Sequence, residues 1–548
     1  MLESWRMWLP RRWRARPAVR STGQARPRVD RVPFGHMSPD AQTLVPILNW
    51  DGLQLCLQAP PRERLELSID GSRFCWLDAD DDGRATLRLT FPPSGNARLD
   101  LRIRAIGETA ARPDFACSIE MGKAGWQPPQ GGHLPLRPVS DAEQLLAVDA
   151  QPMQREVAVV VPVYNAPDAV RRCLDSVLTH SSGPWRLIVI DDASSDATIA
   201  PLLDRYRALD GVEVLGNPQN LGYTATINRG IRHAGRADVV LLNADTEVAA
   251  HWLTGLRLAA ASAADVATAT AVSDNAGAFS VPELEQENPI PCGWTFAQAA
   301  RALWQHAGHA YPQLPTGNGF CMYIRREVLD AIGDFDVEAF PQGYGEENDF
   351  CQRASARGYR HLIAGNVFVG HARSQSFGIE RRESLGRAGM QVLRERWPNY
   401  EADVGATLHS FQRQVLDWRV RRIYASAAQC MPRPRMLRVG AAAAAQGASS
   451  DVEMFELVRQ PPGWVLRDSA GAMLESLSMA VIDGPTAAAW LQRHAIERIE
   501  IAAATDRAVA DVLIEQAERL GIAVSDTAVD ADQTPDSPTA ATISGVRR

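Results

Sequence analysis

Polar side chains gather at a few points of this chain where they can do chemistry. Asp191 and Asp192 follow the apolar run RLIVI, Asn243 and Asp245 follow DVVLL, and Tyr164 and Asn165 follow VAVVVPV. Further along, Glu346, Glu347 and Asp349 crowd together in FPQGYGEENDFCQRASARGYR, and His371 comes 24 residues after Glu347. An acid directly after an apolar run, as in Asn243-Ala244-Asp245, suits a hard divalent cation, which in turn neutralises a diphosphate. Asp192 stands where a carboxylate can accept a hydrogen bond from a pyrimidine N3, with Pro162, Tyr164 and Asn165 as a shelf for the base. The plainer reading of Asp191-Asp192-Ala193-Ser194-Ser195 is a capped turn into the next helix. Acids in a first helical turn are favoured by the helix dipole alone, so Glu346, Glu347 and Asp349 also have a structural reading.

The elements that must position these residues are legible. VAVVVPV, RLIVI and DVVLL are too continuously apolar for a half-buried strand, and imply a parallel sheet covered on both faces. Open parallel sheets bind ligands beyond the carboxyl ends of their strands, where the polar residues fall. Crossover helices are present: PDAVRRCLDSVLTH, with Asp168 placed to cap it, then TIAPLLDRYRAL, then ATINRGIRHAG ending at Gly235, with a short strand VEVLGN before the last. The pattern βαβαβαβ over roughly a hundred residues fits a nucleotide-binding α/β half.

A chain of 548 residues exceeds a single ordinary core, so about two to four domains are expected. With 22% charged and 45% hydrophobic residues the composition is that of a globular protein. No run approaches the roughly 18 apolar residues of a spanning helix, and no apolar core follows the first charged residues as a secretory signal would require. The eight cysteines lack the spacing of zinc sites or disulfide frameworks, which implies buried free thiols and a reducing cytoplasm. The net charge of −8 conceals a basic start, in which Arg6, Arg11, Arg12, Arg14, Arg16, Arg20, Arg26 and Arg28 alternate with Trp5, Trp8 and Trp13. That mixture suits peripheral contact with an anionic membrane face, against the plainer readings of a disordered tail or of a true start near Met37. Nucleic-acid binding is disfavoured because the rest of the chain is acidic.

The domain plan follows composition. A basic, disordered arm (1–40) precedes a small antiparallel β-sandwich (45–123), read from LQLCLQA, RLELSID, ATLRLTF, ARLDLRIRAI and FACSIEM. A linker (124–155) leads to the α/β core (156–400), a helical extension (401–430) and an alanine-rich α/β unit (431–526). The strand candidates of that unit are SMAVIDG, IERIEIA and GIAVSD. A Pro/Ser/Thr/Asp-rich tail (527–548) reads as disordered.

Taken together, VAVVVPVYNA, IDDASSD, NLGYTATINRGI and LLNADTEV resemble the nucleotide-sugar half of a family 2 glycosyltransferase of the GT-A fold, over about Glu156 to Trp397. The departure is Asn243, which replaces the first acid of the DxD motif, as in rhamnosyltransferase-like members. The resemblance implies Asp245 and His371 as ligands of Mn2+ or Mg2+, the latter from where family members place a metal-completing histidine. It implies donor contacts from Pro162, Tyr164, Asn165, Asp192, Asn220, Asn228, Asn243 and Ala244. The ED motif of the family falls on Glu346-Glu347, which makes Glu347 the general base of an inverting transfer. Glu346 and Asp349 then lie on the acceptor side with Asp274, Asn275, Gly317, Asn318 and Gly319.

The expected partners are a dTDP- or UDP-linked hexose or deoxyhexose and a glycan or lipid-linked acceptor of cell-surface polysaccharide synthesis. Its place would be the cytoplasm or the inner face of the membrane. The C-terminal unit faintly resembles one half of a GT-B glycosyltransferase; with no second half or evident nucleotide site it reads as a remnant or docking module. The competing reading is an inactive nucleotide-sugar-binding or scaffolding protein, against which the presence of both Glu347 and Asp245 argues. A nucleotidyltransferase needs a Gly-rich loop with Arg or Lys after its first strand, and PVYNAPDAV supplies none.

Overall fold

In the computed structural model, residues 155–372 (except 310) are described continuously, residues 379–526 with interruptions, and before them the strands between residues 47 and 120. The basic arm, the linker and the C-terminal tail lie outside the described residues, as does most of SMAVIDG. The chain divides into two units, Met1–Pro432 and Arg433–Arg548.

The first unit begins with two antiparallel sheets. One joins β1 (Ile47–Asn49), β2 (Gly52–Gln58) and β5 (Arg84–Leu89); the other joins β3 (Arg64–Ile69), β4 (Ser72–Asp78), β6 (Arg98–Ile106) and β7 (Phe115–Glu120) in the order β4-β3-β6-β7. The sequence reading missed β4, whose SRFCWLD alternates less cleanly because a register shift falls between its pairs with Leu67 and Ser68. Leu65, Leu67, Phe74, Leu77 and Ile103 form the buried face of this sheet.

The core is an eight-stranded mixed sheet. Its first half contains β8 (Val157–Val163), β9 (Trp185–Asp191), β10 (Val212–Gly216) and β11 (Asp238–Leu242), all parallel in the order β10-β9-β8-β11. The sheet continues through β15 (Cys321–Ile324), β13 (Val266–Val272), β16 (Arg360–Phe368) and β14 (Gln313–Leu314). β15 runs antiparallel to both its neighbours, so its start meets the carboxyl end of β11. The β-branched runs of β8, β9 and β11 are buried because helices cover both faces. On one face lie α1 (Pro167–His180), α2 (Ile199–Arg207) and α4 (Trp252–Ala261), on the other α3 (Tyr223–His233). Asp168 does not cap α1: Ala166 takes the N-cap position in the left-handed region, with no side-chain cap, and Asp168 pairs with Arg171 in the first turn.

The remaining helices are α5 (Phe296–His306), α6 (Arg326–Ile332), α7 (Glu346–Ser355), α8 (Ile379–Arg396), α9 (Tyr400–Leu408) and α10 (Phe411–Ala425). A two-stranded ribbon, β12 (Thr246–Glu247) against β17 (Gly370–His371), closes over the carboxyl end of the sheet. Among the described residues no helix is long and apolar enough to cross a membrane. Cys75, Cys173, Cys292, Cys321 and Cys351 are free thiols; Cys292 is exposed and Cys75 half-buried, rather than all being interior.

The second unit is a six-stranded sheet. Its order is Met473–Leu477, Gly463–Arg467, Glu453–Gln460, Arg435–Val439, Arg498–Ile501 and Ala523–Asp526, the last four strands parallel. Two helices, Gly484–Arg493 and Arg507–Leu520, complete it. IERIEIA and GIAVSD supply two of the parallel strands.

Candidate active site

The carboxyl ends of β8 and β9 are tied into one polar rim. Asn165, at φ 59, donates its backbone N–H to Ser194 Oγ (2.8 Å), and its Oδ1 accepts from the Asp196 amide (2.9 Å). Asp191 and Asp192 have separate fates. Asp192 is 5% exposed, and its carboxylate accepts from Asn217 Nδ2 (2.7 Å), Leu221 N (2.8 Å) and Gly222 N (3.0 Å). It anchors the loop before α3. Asp191, partly exposed beside it, accepts only a turn hydrogen bond from Ser194 N (3.0 Å). Pro162 and Tyr164 remain partly exposed on the rim, and Asn220 is exposed. Asn228 does not reach a ligand, because both ends of its buried amide bond the Phe335 backbone, at 2.8 and 3.0 Å.

At the end of β11 the chain turns sharply. The Asn243 carbonyl accepts from Thr246 N (3.2 Å) and Thr246 Oγ1 (2.7 Å), which leaves Asn243, Ala244 and Asp245 as a partly exposed bend. Because Thr246 pairs with His371 in the ribbon, Asp245 Oδ1 lies 3.4 Å from His371 Nε2. His371 is oriented from behind. Its Nδ1 is 3.1 Å from the Asn275 carbonyl, its backbone N–H donates to Asp274 Oδ1 (3.2 Å), and its ring stacks on Phe320. A carbonyl only accepts, so Nδ1 donates to it, which leaves Nε2 facing the Asp245 carboxylate. Asp274 and Asn275 therefore hold His371 from behind.

A carboxylate and an imidazole nitrogen facing each other are ligand types suited to a divalent cation. Among the described residues no group of three or more His, Cys, Asp or Glu side chains is arranged to hold an ion, so these two would share one with oxygens from a ligand.

The third part of the site is the start of α7. Glu346 is 2% exposed and reaches back to the Gly345 amide (2.9 Å), while Glu347 is partly exposed and accepts from Gly319 N (3.2 Å). Burial first, then the adjacent Glu347 carboxylate, pushes the Glu346 carboxyl well above its ordinary range. Asp349 is turned away, 1% exposed, and saturated by Arg353 Nε (2.9 Å), Arg396 Nη1 (3.2 Å) and Trp397 Nε1 (3.0 Å). Gly317, Asn318 and Gly319 form the loop into β15, which Thr270 and Cys351 pin through the amides of Asn318 and Gly317. A methyl added at Gly319 would lie 2.5 Å from the Tyr223 hydroxyl and 3.4 Å from Glu347 Oε1, so only glycine fits there.

Tyr223, the first residue of α3, escaped the sequence reading although it sits within NLGYTATINRGI. Burial, followed by the charges of Glu347, Glu346 and Asp245, pushes its phenol well above its usual range. Its hydroxyl is 3.5 Å from the Gly319 carbonyl.

Known proteins resemble part of this chain. Residues 158–333 match the family described as Glycosyl transferase family 2. The chain is similar to the glycosyltransferase AglE of Haloferax volcanii, 23% identical over 242 residues, covering 43% of this chain and 73% of that protein. It is also similar to the putative teichuronic acid biosynthesis glycosyltransferase TuaG of Bacillus subtilis, 32% identical over 90 residues, covering 16% of this chain but only 35% of that protein. A solved structure of the mannosyltransferase PcManGT from Pyrobaculum calidifontis, in complex with GDP-Man and Mn2+, aligns at 18% identity and a TM-score of 0.34 over 50% of this chain and 76% of its own. On the strength of the family match over β8 to α6, the chain carries a glycosyl transferase family 2 domain.

Proposed function

We propose that the protein is an inverting glycosyltransferase that moves a hexose or deoxyhexose from a nucleoside diphosphate to a glycan or lipid-linked hydroxyl in cell-surface polysaccharide synthesis. The observation that carries this reading is the convergence of Glu347, Tyr223, Asp245 and His371 at the carboxyl ends of β11 and the loop before β15. The base of the nucleotide, uracil or thymine, lies on the Pro162–Asn165 rim, with Asp191 in place of Asp192 as the acid beside it. Asp245 and His371 would hold Mn2+ or Mg2+, and such an ion would supply positive charge opposite a diphosphate.

The residues around it do the rest. Glu347, held by Gly319 N, takes the proton of the acceptor hydroxyl as its oxygen bonds to the anomeric carbon and the bond from that carbon to the diphosphate breaks. Burial favours the protonated form of Glu346, which leaves Glu347 as the carboxylate of the pair that receives the acceptor proton. The Gly319 backbone lets the acceptor approach without a side chain between it and Glu347. The basic start of the chain would bring the enzyme to an anionic membrane surface where such acceptors reside.

The test is a panel of nucleotide sugars with Mn2+, read by nucleotide release and by mass spectrometry of a lipid-linked acceptor extract. Nucleotide release that depends on Mn2+ and disappears in Glu347→Gln and Asp245→Ala is expected. Donor binding without turnover would favour a scaffolding role, and release undiminished in both variants would overturn the assignment.

A further inference from the structure

Strand β4 carries a bulge that re-aims its side chains. Its pairing with β3 sets Leu77 opposite Leu65, Trp76 opposite Glu66 and Cys75 opposite Leu67, then shifts so that Arg73 meets Ser68 and Phe74 is the extra residue. In an unbroken strand residues 73 and 76 would face opposite sides. The bulge turns both to the side of Glu66 and Ser68, away from the buried Leu65, Leu67 and Ile103. The Arg73 guanidinium then lies over the Trp76 ring, its Cζ 4.4 Å from the ring centroid. That contact orders the indole by a cation–π interaction and still leaves it 53% exposed.

Trp76 heads a row that crosses three strands. Glu66 of β3 is directly opposite both Trp76 and Arg104 of β6, and Arg104 Nη2 donates to Glu66 Oε1 (2.9 Å). The row spans two strand spacings, about 10 Å. It starts on the edge strand of its sheet, which is the strand fastened to the rest of the unit. Phe74 packs edge-on against Trp418 of α10, and Arg421 of α10 donates to the carbonyls of Arg73 (3.2 Å) and Phe74 (3.3 Å). Arg73 also reaches Glu283 through Nη2 at 2.6 and 2.7 Å, and Glu283 belongs to the same loop as Asp274 and Asn275.

The chemistry of the row selects its occupant. The centre of a protein interface is depleted of charge and groups several apolar anchors. Here, among the described side chains of this face, a single indole stands beside a carboxylate and a guanidinium. A pyranose matches that set: its C–H face covers one aromatic ring, and its neighbouring hydroxyls pair with planar charged groups. We propose that the outer face of β4, β3 and β6 is a glycan-binding site, in which Trp76 stacks on a pyranose while Glu66 and Arg104 hold the hydroxyls beside it. On the transferase reading above, on which this part rests, the glycan is the acceptor, held at a sugar other than the one that reacts.

The experiment uses the full chain in EDTA without nucleotide, so that binding is read apart from transfer. The probes are hexasaccharides of glucose, mannose and rhamnose and the glycan released from the lipid-linked acceptor extract, followed by saturation-transfer NMR and calorimetry. Wild type is expected to bind at least one of them. Trp76→Ala is expected to weaken that binding by about tenfold, Trp76→Phe to keep the greater part of it, and Arg104→Ala to weaken it by about threefold. Leu209→Ala, which removes an exposed apolar side chain elsewhere, is expected to bind as wild type does. No binding of any probe by wild type would overturn the proposal, as would equal binding by Trp76→Ala or an equal loss in Leu209→Ala. Wild-type dimers that Trp76→Ala separates, without glycan binding, would make the face a contact between copies of the chain and overturn it too. Glycan binding lost in Trp76→Ala, in a protein that releases nucleotide from no donor, would uphold the glycan site and remove only the transfer.

Discussion

Asp245 Oδ1 stands 3.4 Å from His371 Nε2 because a two-residue ribbon pairs Thr246 with His371. Each side chain is largely enclosed, with the His371 proton committed to the Asn275 carbonyl. Asp245→Asn and His371→Gln keep the shapes while removing a charge or a lone pair. Each is expected to weaken Mn2+ binding in the presence of a nucleoside diphosphate by more than about tenfold, with the thermal midpoint nearly unchanged. Equal Mn2+ affinity in wild type and both variants would mean that the pair is only a salt bridge.

Glu347 and Gly319 make a second pair whose disruption separates chemistry from binding. Glu347→Gln preserves a group that can accept from Gly319 N but cannot take up the acceptor proton, so turnover is expected to fall by about 10²–10⁴-fold with donor KM little changed. Gly319→Ala drives a methyl into the Tyr223 hydroxyl and should likewise lower turnover. A parallel rise in donor KM, with turnover intact, would move both residues from the acceptor side to the donor side.

Glu346 gives a pH dependence with a definite sign. Its folded carboxyl keeps a proton well above the ordinary value of 4.5, first because it is buried and then because Glu347 is adjacent. The folded state therefore binds a proton that the unfolded chain releases. The stability from this group is complete below about pH 4.5 and declines as pH rises toward the folded value. Glu346→Gln should remove that decline, so that melting curves of variant and wild type diverge as pH rises above the ordinary value of 4.5, with the variant relatively more stable at the upper end. Parallel curves across that range would show that Glu346 is charged in the folded protein.

How much of this was legible in the sequence depends on what each residue needed to declare itself. The strand ends and the acidic start of α7 were readable because continuous apolar runs and a run of acids are local signals. Which polar residue faces a ligand was not. Asp192 and Asp349 are the same residue type as Asp191 and Asp245, and only long-range partners tell them apart: the loop before α3 in one case, Arg396 and Trp397 in the other. Arg413 of α10 falls in what reads only as a helical extension, because the carbonyls of Ala278 and Ser280 that it binds lie more than a hundred residues earlier. Tyr223 is a single aromatic at a helix start, where packing is the ordinary explanation.

The distinction between Asp191, Asp192 and Asn228 can be measured directly. Asn228 spends both amide atoms on Phe335, which joins α3 to the segment after α6, and burying the two backbone groups without it should cost about 1–3 kcal/mol. Asn228→Ala is therefore expected to lower stability in urea by that amount while donor KM stays within about twofold. Asp192→Ala should behave in the same way, since it leaves the amides of Leu221 and Gly222 without their acceptor. Asp191→Ala should do the reverse, raising donor KM with a small change in stability, because its contact within the chain is a turn hydrogen bond to Ser194. If Asp192→Ala raises donor KM while Asp191→Ala does not, the buried carboxylate must open to the base in the working enzyme, and the loop between Asn217 and Gly222 becomes the part that moves.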